Sequence, residues 1–147
     1  MNVTYLQQFF KMAADNSCYA SCLVKLACRI NKTDHNLTNI GRALDIGFDK
    51  NYLGINKDDY SDYGPAFTVY KPEKWLTDLT GKKISVRKES ATYKCAKNEY
   101  EILFYAKSQE NANENIGHFI LPDYDPNKTS VTVNTGKVYS KRIIKVE

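Results

Sequence analysis

Apolar residues at the start of the chain recur at the spacing of an amphipathic helix, which predicts two helices. The first covers residues 3–13 with Asn2 as its cap, and the second covers about 17–31 with Cys18 in its first turn. The stripe of the second helix is formed by Tyr19, Leu23, Leu26, Ala27 and Ile30. Its start is preceded by three residues whose side chains accept hydrogen bonds from free backbone donors, Asp15, Asn16 and Ser17.

A third helix is predicted to open at Asn36 or Thr38 and to close at Gly47. Its apolar face is formed by Leu37, Ile40, Leu44 and Ile46. The following stretch, Tyr52 to Gly64, is rich in tyrosine and aspartate and is predicted to be a polar connection without regular structure.

Strand signals dominate the second half of the chain. Ala66 to Tyr70 predicts a short strand, and a fourth helix then begins at Pro72 and ends before Gly81. Gln109 to Asn115 reads as a hairpin loop. The later strands are predicted at Ile84 and Val86, Ile102 to Tyr105, His118 to Leu121, Val131 and Val133, and Ile143 to Val146. Helices first and strands later indicate an α+β fold, with N-terminal helices packed on a C-terminal antiparallel sheet.

Composition is that of an ordinary globular chain. The 147 residues are 42% hydrophobic and 26% charged, and no linker interrupts them, so one domain over 1–147 is expected. The net charge of +4 is scattered, which argues against nucleic acid as a partner. No apolar run approaches the length of a membrane span, and no secretory signal is visible.

Cysteine chemistry is the most informative feature. Three of the 4 cysteines lie within one short segment, which favours reduced thiols and a cytoplasmic, intracellular or phage-delivered protein over a disulfide framework. A thiolate at Cys18 would face the free backbone donors and the positive end of a helix, and both lower a thiol pKa. The alternative is that Cys18 only packs at a helix end. Cys22 and Cys28 lie deeper in the helix and are expected to pack.

Two histidines are the candidate general bases. His35 lies in a polar segment between two helices and is expected to be a solvated loop residue. His118 follows Gly117 and opens an apolar strand, where it is either a structural residue or a base held opposite a helix start.

A third group would orient the imidazole. If Pro122 and Asp123 form a tight turn, Asp125 stands opposite Ile120, on the same sheet face as His118. Asn134 is a substitute acceptor, and Asp125 could equally cap the turn before Pro126.

These residues resemble the papain-like cysteine peptidases, in particular the group similar to the double-glycine leader peptidases of bacteriocin export. The resemblance rests on the two ends of the domain, Asp15-Asn16-Ser17-Cys18-Tyr19-Ala20-Ser21 and Gly117-His118-Phe119-Ile120-Leu121 followed by Asp125-Pro126. It implies a papain-like fold in a bacterial or phage protein. It also implies a catalytic triad in a thiol protease, with Cys18 as nucleophile, His118 as general base and acid, and Asp125 as orienter.

The sequence departs from that family at the oxyanion site. The family has glycine directly after the catalytic cysteine, where this chain has Tyr19. The family also has a glutamine about two turns before the cysteine to hold the oxyanion, and Met12 stands at that position in this chain. Gln8 would serve if the segment before Cys18 bulges, and Asn16 is a further candidate donor. The resemblance implies no cofactor.

The resemblance therefore predicts a hydrolase that cleaves a peptide or amide bond, with a peptide or protein substrate or a cell-wall peptide. The alternative is a catalytically degenerate binding module that recognises a peptide or protein partner, for which the 11 tyrosines are suited. A zinc site from Cys18, Cys22, His35 and His118 is weakly indicated, since paired cysteine knuckles are absent. No pair of carboxylates stands out as in a glycosidase.

Overall fold

The computed structural model describes residues 19–61, 64–114, 117–122 and 137–147. In chain order the elements are α1 (Tyr19–Asn31), α2 (Leu37–Asp49), β1 (Leu53–Ser61), β2 (Gly64–Val69), α3 (Pro72–Thr80), β3 (Ile84–Ser90), β4 (Glu99–Ala106), α4 (Gln109–Asn113), β5 (His118–Ile120) and β6 (Lys137–Val146). The predicted helix over 3–13 and the predicted strand at Val131 and Val133 lie outside the described residues.

Helix α1 is the centre of the core. It packs against α2, α3 and β5. Eight of the nine residues that follow Tyr19 are therefore buried: Ala20, Ser21, Cys22, Leu23, Val24, Leu26, Ala27 and Cys28. A helix that meets neighbours on several sides has no room for a polar face. The predicted helix over about 17–31 is confirmed from Tyr19 onward, and Cys22 and Cys28 are packing residues as expected.

Helix α2 is longer than its sequence indicated. Asn36 is its cap, and the side chain accepts a hydrogen bond from the Asn39 backbone at 2.9 Å. The predicted end at Gly47 is wrong, because the helix continues to Asp49. Gly47 instead gives space to Trp75, since a Cβ there would stand 3.2 Å from the indole ring. The glycine marks a close helix contact.

The predicted polar connection from Tyr52 to Gly64 is also wrong. Its residues form β1, which pairs antiparallel with β2 as a two-stranded sheet. Leu53 and Phe67 anchor this hairpin in the core. Tertiary packing therefore overrides a composition that is typical of a loop.

Helix α3 follows its sequence signals closely. Pro72 occupies its first turn and Gly81 ends it in the left-handed conformation, with φ 68°. Trp75 is fully buried, and its indole N–H donates to the Ala43 carbonyl of α2 at 3.0 Å. The helix also covers the edge of β3, where Glu73 accepts a hydrogen bond from the Val86 amide at 2.9 Å.

The C-terminal sheet is antiparallel, with strand order β3-β6-β4-β5. Its core face carries Ile84, Ile102 and Ile144 against the helices, and Leu121, directly after β5, belongs to the same cluster. The chain thus has an α+β fold with N-terminal helices and a C-terminal antiparallel sheet. None of the helices in the described ranges combines the length and apolarity that a membrane span requires.

The connection between β4 and β5 contains a short helix. The predicted hairpin loop over Gln109 to Asn115 does join two paired strands, but α4 occupies residues Gln109–Asn113 of it. Ser108 caps that helix through a 3.1 Å hydrogen bond from the Asn111 amide. After this connection the chain enters β5, whose first residue is His118.

Candidate functional site

The structure describes one of the five predicted site residues, His118. Cys18, Asp125, Gln8 and Asn16 lie outside the described residues, as do Asp123 and Asn134. The site is therefore built from His118 and from the residues that follow Cys18 along the chain.

His118 is the first residue of β5 and pairs with Tyr105 of β4. Its side chain is exposed, whereas the strand behind it enters the core through Ile120 and Leu121. Gly117 precedes it at a point of close approach, since a Cβ there would overlap the Tyr105 carbonyl oxygen and touch the Phe104 ring. The strand start is thus held tightly against β4 while the imidazole remains accessible.

Tyr19, the first described residue of α1, lies directly against this strand. The Tyr19 and Phe119 rings have centroids 4.8 Å apart with a tilt of 44°, and the Phe104 ring lies 4.9 Å from Phe119 on the other side. One turn further along the helix, the Cys22 thiol donates to the Phe119 carbonyl oxygen at 3.4 Å. The residue after Cys18 and the residue after His118 are therefore in contact.

Arg142 of β6 is a member of this site that the sequence analysis missed. Its guanidinium carbon lies 5.4 Å from the centre of the Phe119 ring, and one of its nitrogens donates to the Ser140 hydroxyl at 3.2 Å. Burial lowers the pKa of Arg142, and the nearby Tyr19 opposes that shift. The available signal was alternation, because Arg142 lies in period with the core residue Ile144.

Tyr19 is held in an apolar environment at the same place. Burial raises the pKa of its phenol to about 12, and the positive charge of Arg142 acts in the opposite direction. Cys22 and Glu73 add smaller contributions that raise it. Tyr19 is therefore neutral at physiological pH, and its hydroxyl is available as a hydrogen-bond donor.

The described cysteines are poor nucleophiles. Cys22 is fully buried, and Cys28 is buried with a pKa raised by desolvation. Cys95 is half-buried, and its pKa is raised by desolvation and then by the carboxylates of Glu101 and Glu99. Thiolates react and thiols do not, so none of the three is activated.

His35 differs from its expected role. It is half-buried rather than solvated, and its Nε2 is buried with no hydrogen-bond partner in the described part of the chain. Desolvation lowers its pKa, and the Lys25 ammonium lowers it further. The polar sequence of the loop between α1 and α2 did not indicate this burial.

No three His, Cys, Asp or Glu side chains gather as metal ligands within the described ranges. Two members of the weakly indicated zinc set have other surroundings: the Cys22 thiol bonds to a backbone carbonyl, and His35 lies in the α1–α2 loop. The start of β5 instead presents an exposed imidazole at His118. The neighbouring Phe119, whose side chain points to the opposite face of the sheet, is surrounded by the Tyr19 and Phe104 rings and by the Arg142 guanidinium.

Comparison with protein-family models, with curated protein sequences and with solved structures finds no match for this chain.

Proposed function

We propose that the protein is a papain-like thiol hydrolase that cleaves a peptide or amide bond with Cys18 as nucleophile and His118 as general base. The observation that carries the proposal is the contact between Tyr19 and Phe119. Each of these rings belongs to the residue next to a proposed catalytic residue, and consecutive Cα atoms are about 3.8 Å apart. Tyr19 and Phe119, a hundred positions apart in sequence, belong to neighbouring parts of the fold, and this supports the pairing of the residues that precede them.

The electrostatics of the helix start support the same roles. Unpaired backbone N–H groups and the helix dipole favour an anion at the first turn of a helix, and they fade within one turn. We place Cys18 in the first turn of this helix, as the sequence predicts, whereas Cys22 and Cys28 lie deeper in α1 and are buried. A thiolate is therefore favoured at Cys18 over the other cysteines of this helix.

The reaction proceeds in two steps. The Cys18 thiolate attacks the carbonyl carbon, the C–N bond breaks, and the His118 imidazolium gives its proton to the departing amine. Water then attacks the thioester, His118 takes a proton from that water, and the acid product leaves as the thiol is restored. Asp125 is proposed to orient the imidazole, and Gln8 or Asn16 to donate to the oxyanion.

The exposed position of His118 agrees with this role. A general base must reach its substrate, and the side chain at the start of β5 is accessible while Ile120 and Leu121 anchor the strand in the core. Gly117 fixes the strand against Tyr105. The proposed general base is thus an accessible imidazole on a strand that is held in place by rigid elements.

Alkylation of the thiol tests the proposal. At pH 6 we expect iodoacetamide to modify Cys18 quickly, and the rate to fall at least about tenfold in His118→Ala, because an imidazolium partner lowers the thiol pKa by one unit or more. Cys95→Ser is the background for both measurements, since Cys95 is the accessible described thiol. Cys18→Ser identifies the modified residue.

Equal and slow rates in the Cys95→Ser background with and without His118 would contradict the thiol–imidazole pair. That result would favour the alternative, a papain-like module that binds a peptide without cleaving it. One observation favours this alternative. The papain-like family has glycine at the position of Tyr19, and Tyr19 places a large ring beside the strand that begins with His118.

A further inference from the structure

Arg142 is a half-buried cation without an anionic partner among the residues that the structure describes. No carboxylate of the described residues lies within ion-pair distance of its guanidinium, and its side chain donates to Ser140 alone. The neighbouring cations on the sheet are different: Lys141 pairs with Glu101 at 2.7 Å, and Arg87 pairs with Glu99 at 2.7 Å. Guanidinium groups removed from water are ordinarily paired.

The nearest acidic residue does not fill this role. The Glu73 carboxylate is close enough to influence the pKa of Tyr19, but it accepts the Val86 amide and forms no ion pair with Arg142. The Phe119 ring provides a cation–π contact, which is worth only about 0.5–2 kcal/mol. Most of the guanidinium's five N–H donors therefore have no partner within the described ranges and are suited to bind a ligand.

Tyr19 supplies a second donor at the same ring. Its ring and the Arg142 guanidinium both lie against Phe119, at 4.8 and 5.4 Å. The Tyr19 hydroxyl forms no hydrogen bond with the described residues, and its high pKa keeps the proton on the oxygen. Two donors and one full positive charge thus meet at the Phe119 ring.

We propose that Arg142 and Tyr19 form a binding subsite for a carboxylate of the substrate, so that the hydrolase prefers a peptide with aspartate or glutamate next to the scissile bond. This inference rests on the proposed function for the position of the scissile bond. The carboxylate-binding property itself rests on Arg142, Tyr19 and Phe119 alone. A guanidinium fork and a phenol donor match the two oxygens of a carboxylate.

The first experiment compares two alkylating agents that differ in charge. In each, the thiolate displaces iodide from a CH₂ group, but iodoacetate carries a carboxylate and iodoacetamide does not. We expect the iodoacetate-to-iodoacetamide rate ratio at Cys18 to fall roughly tenfold in Arg142→Gln, the loss expected for a charge-assisted hydrogen bond. Arg142→Lys should retain part of the ratio, because charge remains and the fork is lost.

Lys145→Gln is the matched control, because it removes one positive charge from an exposed position of the same strand. Its ratio should equal that of the native chain. A change in thiol pKa alters both rates together, so the ratio reports recognition of the carboxylate. An unchanged ratio in Arg142→Gln, or an equal fall in Lys145→Gln, would overturn the inference.

The second experiment does not require an active thiol. N-acetyl-glutamate methylamide is titrated into the Cys18→Ser protein, with the uncharged glutamine analogue as control, and the NMR amide signals of residues 19 and 119 are followed. We expect saturable shifts with the glutamate compound alone, and none in Arg142→Gln. Shifts in Cys18→Ser with slow alkylation of the native protein would support the carboxylate subsite and contradict the hydrolase. Absence of shifts would overturn the subsite even if alkylation is fast.

Discussion

His35 shows how a single side chain can escape a sequence-based interpretation. Its neighbours Lys32, Thr33 and Asp34 are polar, which predicts a solvated loop, yet its Nε2 is buried and unpartnered among the described residues. The Asn36 cap and the hydrogen bond from the Asn39 side chain to the Asp34 carbonyl fix the backbone on both sides of this histidine. The exposure of the histidine depends on the folded surroundings of its ring, which the polar composition of its neighbours does not reveal.

Burial of His35 predicts a pH dependence of stability. Desolvation lowers the pKa of the folded protein's His35 below its usual 6.5, so the unfolded chain binds this proton first as the pH falls. Its contribution is complete above about pH 6.5 and is lost as the pH falls below that value toward the folded pKa. The free energy of unfolding, measured by urea denaturation between pH 8 and pH 5, should decline less in His35→Gln than in the native protein.

Lys97→Gln is the control for this measurement, because Lys97 is exposed and its substitution removes a charge without removing a histidine. It should keep the native slope. A His35→Gln protein whose stability declines as steeply as the native protein would show that His35 is not buried in its neutral form.

The docking of α1 on β5 is the feature on which the candidate site depends. Three aromatic rings, those of Tyr19, Phe119 and Phe104, form a continuous row of tilted contacts across this junction. The Cys22 thiol and the Phe119 carbonyl join the two backbones. Aromatic pairs add about 0.5–1.5 kcal/mol beyond the area they bury, so these three rings contribute substantially to the stability of the junction.

Phe119→Leu tests whether the junction positions the thiol. We expect a loss of about 1–2 kcal/mol in unfolding free energy, since both ring pairs are removed while an apolar side chain remains. We also expect slower alkylation of Cys18 by iodoacetamide at pH 6, because the helix start is no longer held against the strand that begins with His118.

Phe48→Leu provides the matched control. Phe48 pairs with Phe67 at 6.4 Å, in the contact between α2 and the β1–β2 hairpin. Its substitution should also lower stability but should leave the alkylation rate of Cys18 unchanged. Native alkylation in Phe119→Leu, or equal slowing in both variants, would contradict a specific role for the α1–β5 junction.

The elements that the sequence predicted well are those with local signals. Pro72 and Gly81 bound α3, Asn36 caps α2, and the apolar stripe beginning at Tyr19 defines α1. These features depend on the backbone chemistry of a few adjacent residues, so a single sequence reveals them.

The elements that were missed depend on contacts between distant residues. Gly47 is a typical signal for the end of a helix, but here it leaves space for the Trp75 ring of another helix. The hairpin of β1 and β2 has the composition of a loop and is anchored through Leu53 and Phe67 in the core. Arg142 lies over Phe119 because β6 pairs with β4, and this contact between distant residues is not visible in the sequence around Arg142.

The molecule as a whole joins two halves of different structure. The helical half provides α1, whose first residue follows Cys18, and the sheet half provides β5, whose first residue is His118. The core residues Leu23, Leu26, Leu121 and Ile144 belong to one hydrophobic cluster that spans both halves. A site at the junction is therefore supported by the whole core, and it would be lost in a chain that folds only one half.

The distance from the Cys18 Sγ to the nearer ring nitrogen of His118, measured in a crystal of the protein, tests the central claim most directly. We predict about 3 to 4 Å, the separation of a thiol and an imidazole that exchange a proton in an unliganded site. A separation greater than about 6 Å, beyond what one bridging water can span, would contradict the thiol–imidazole pair and the hydrolysis proposed from it.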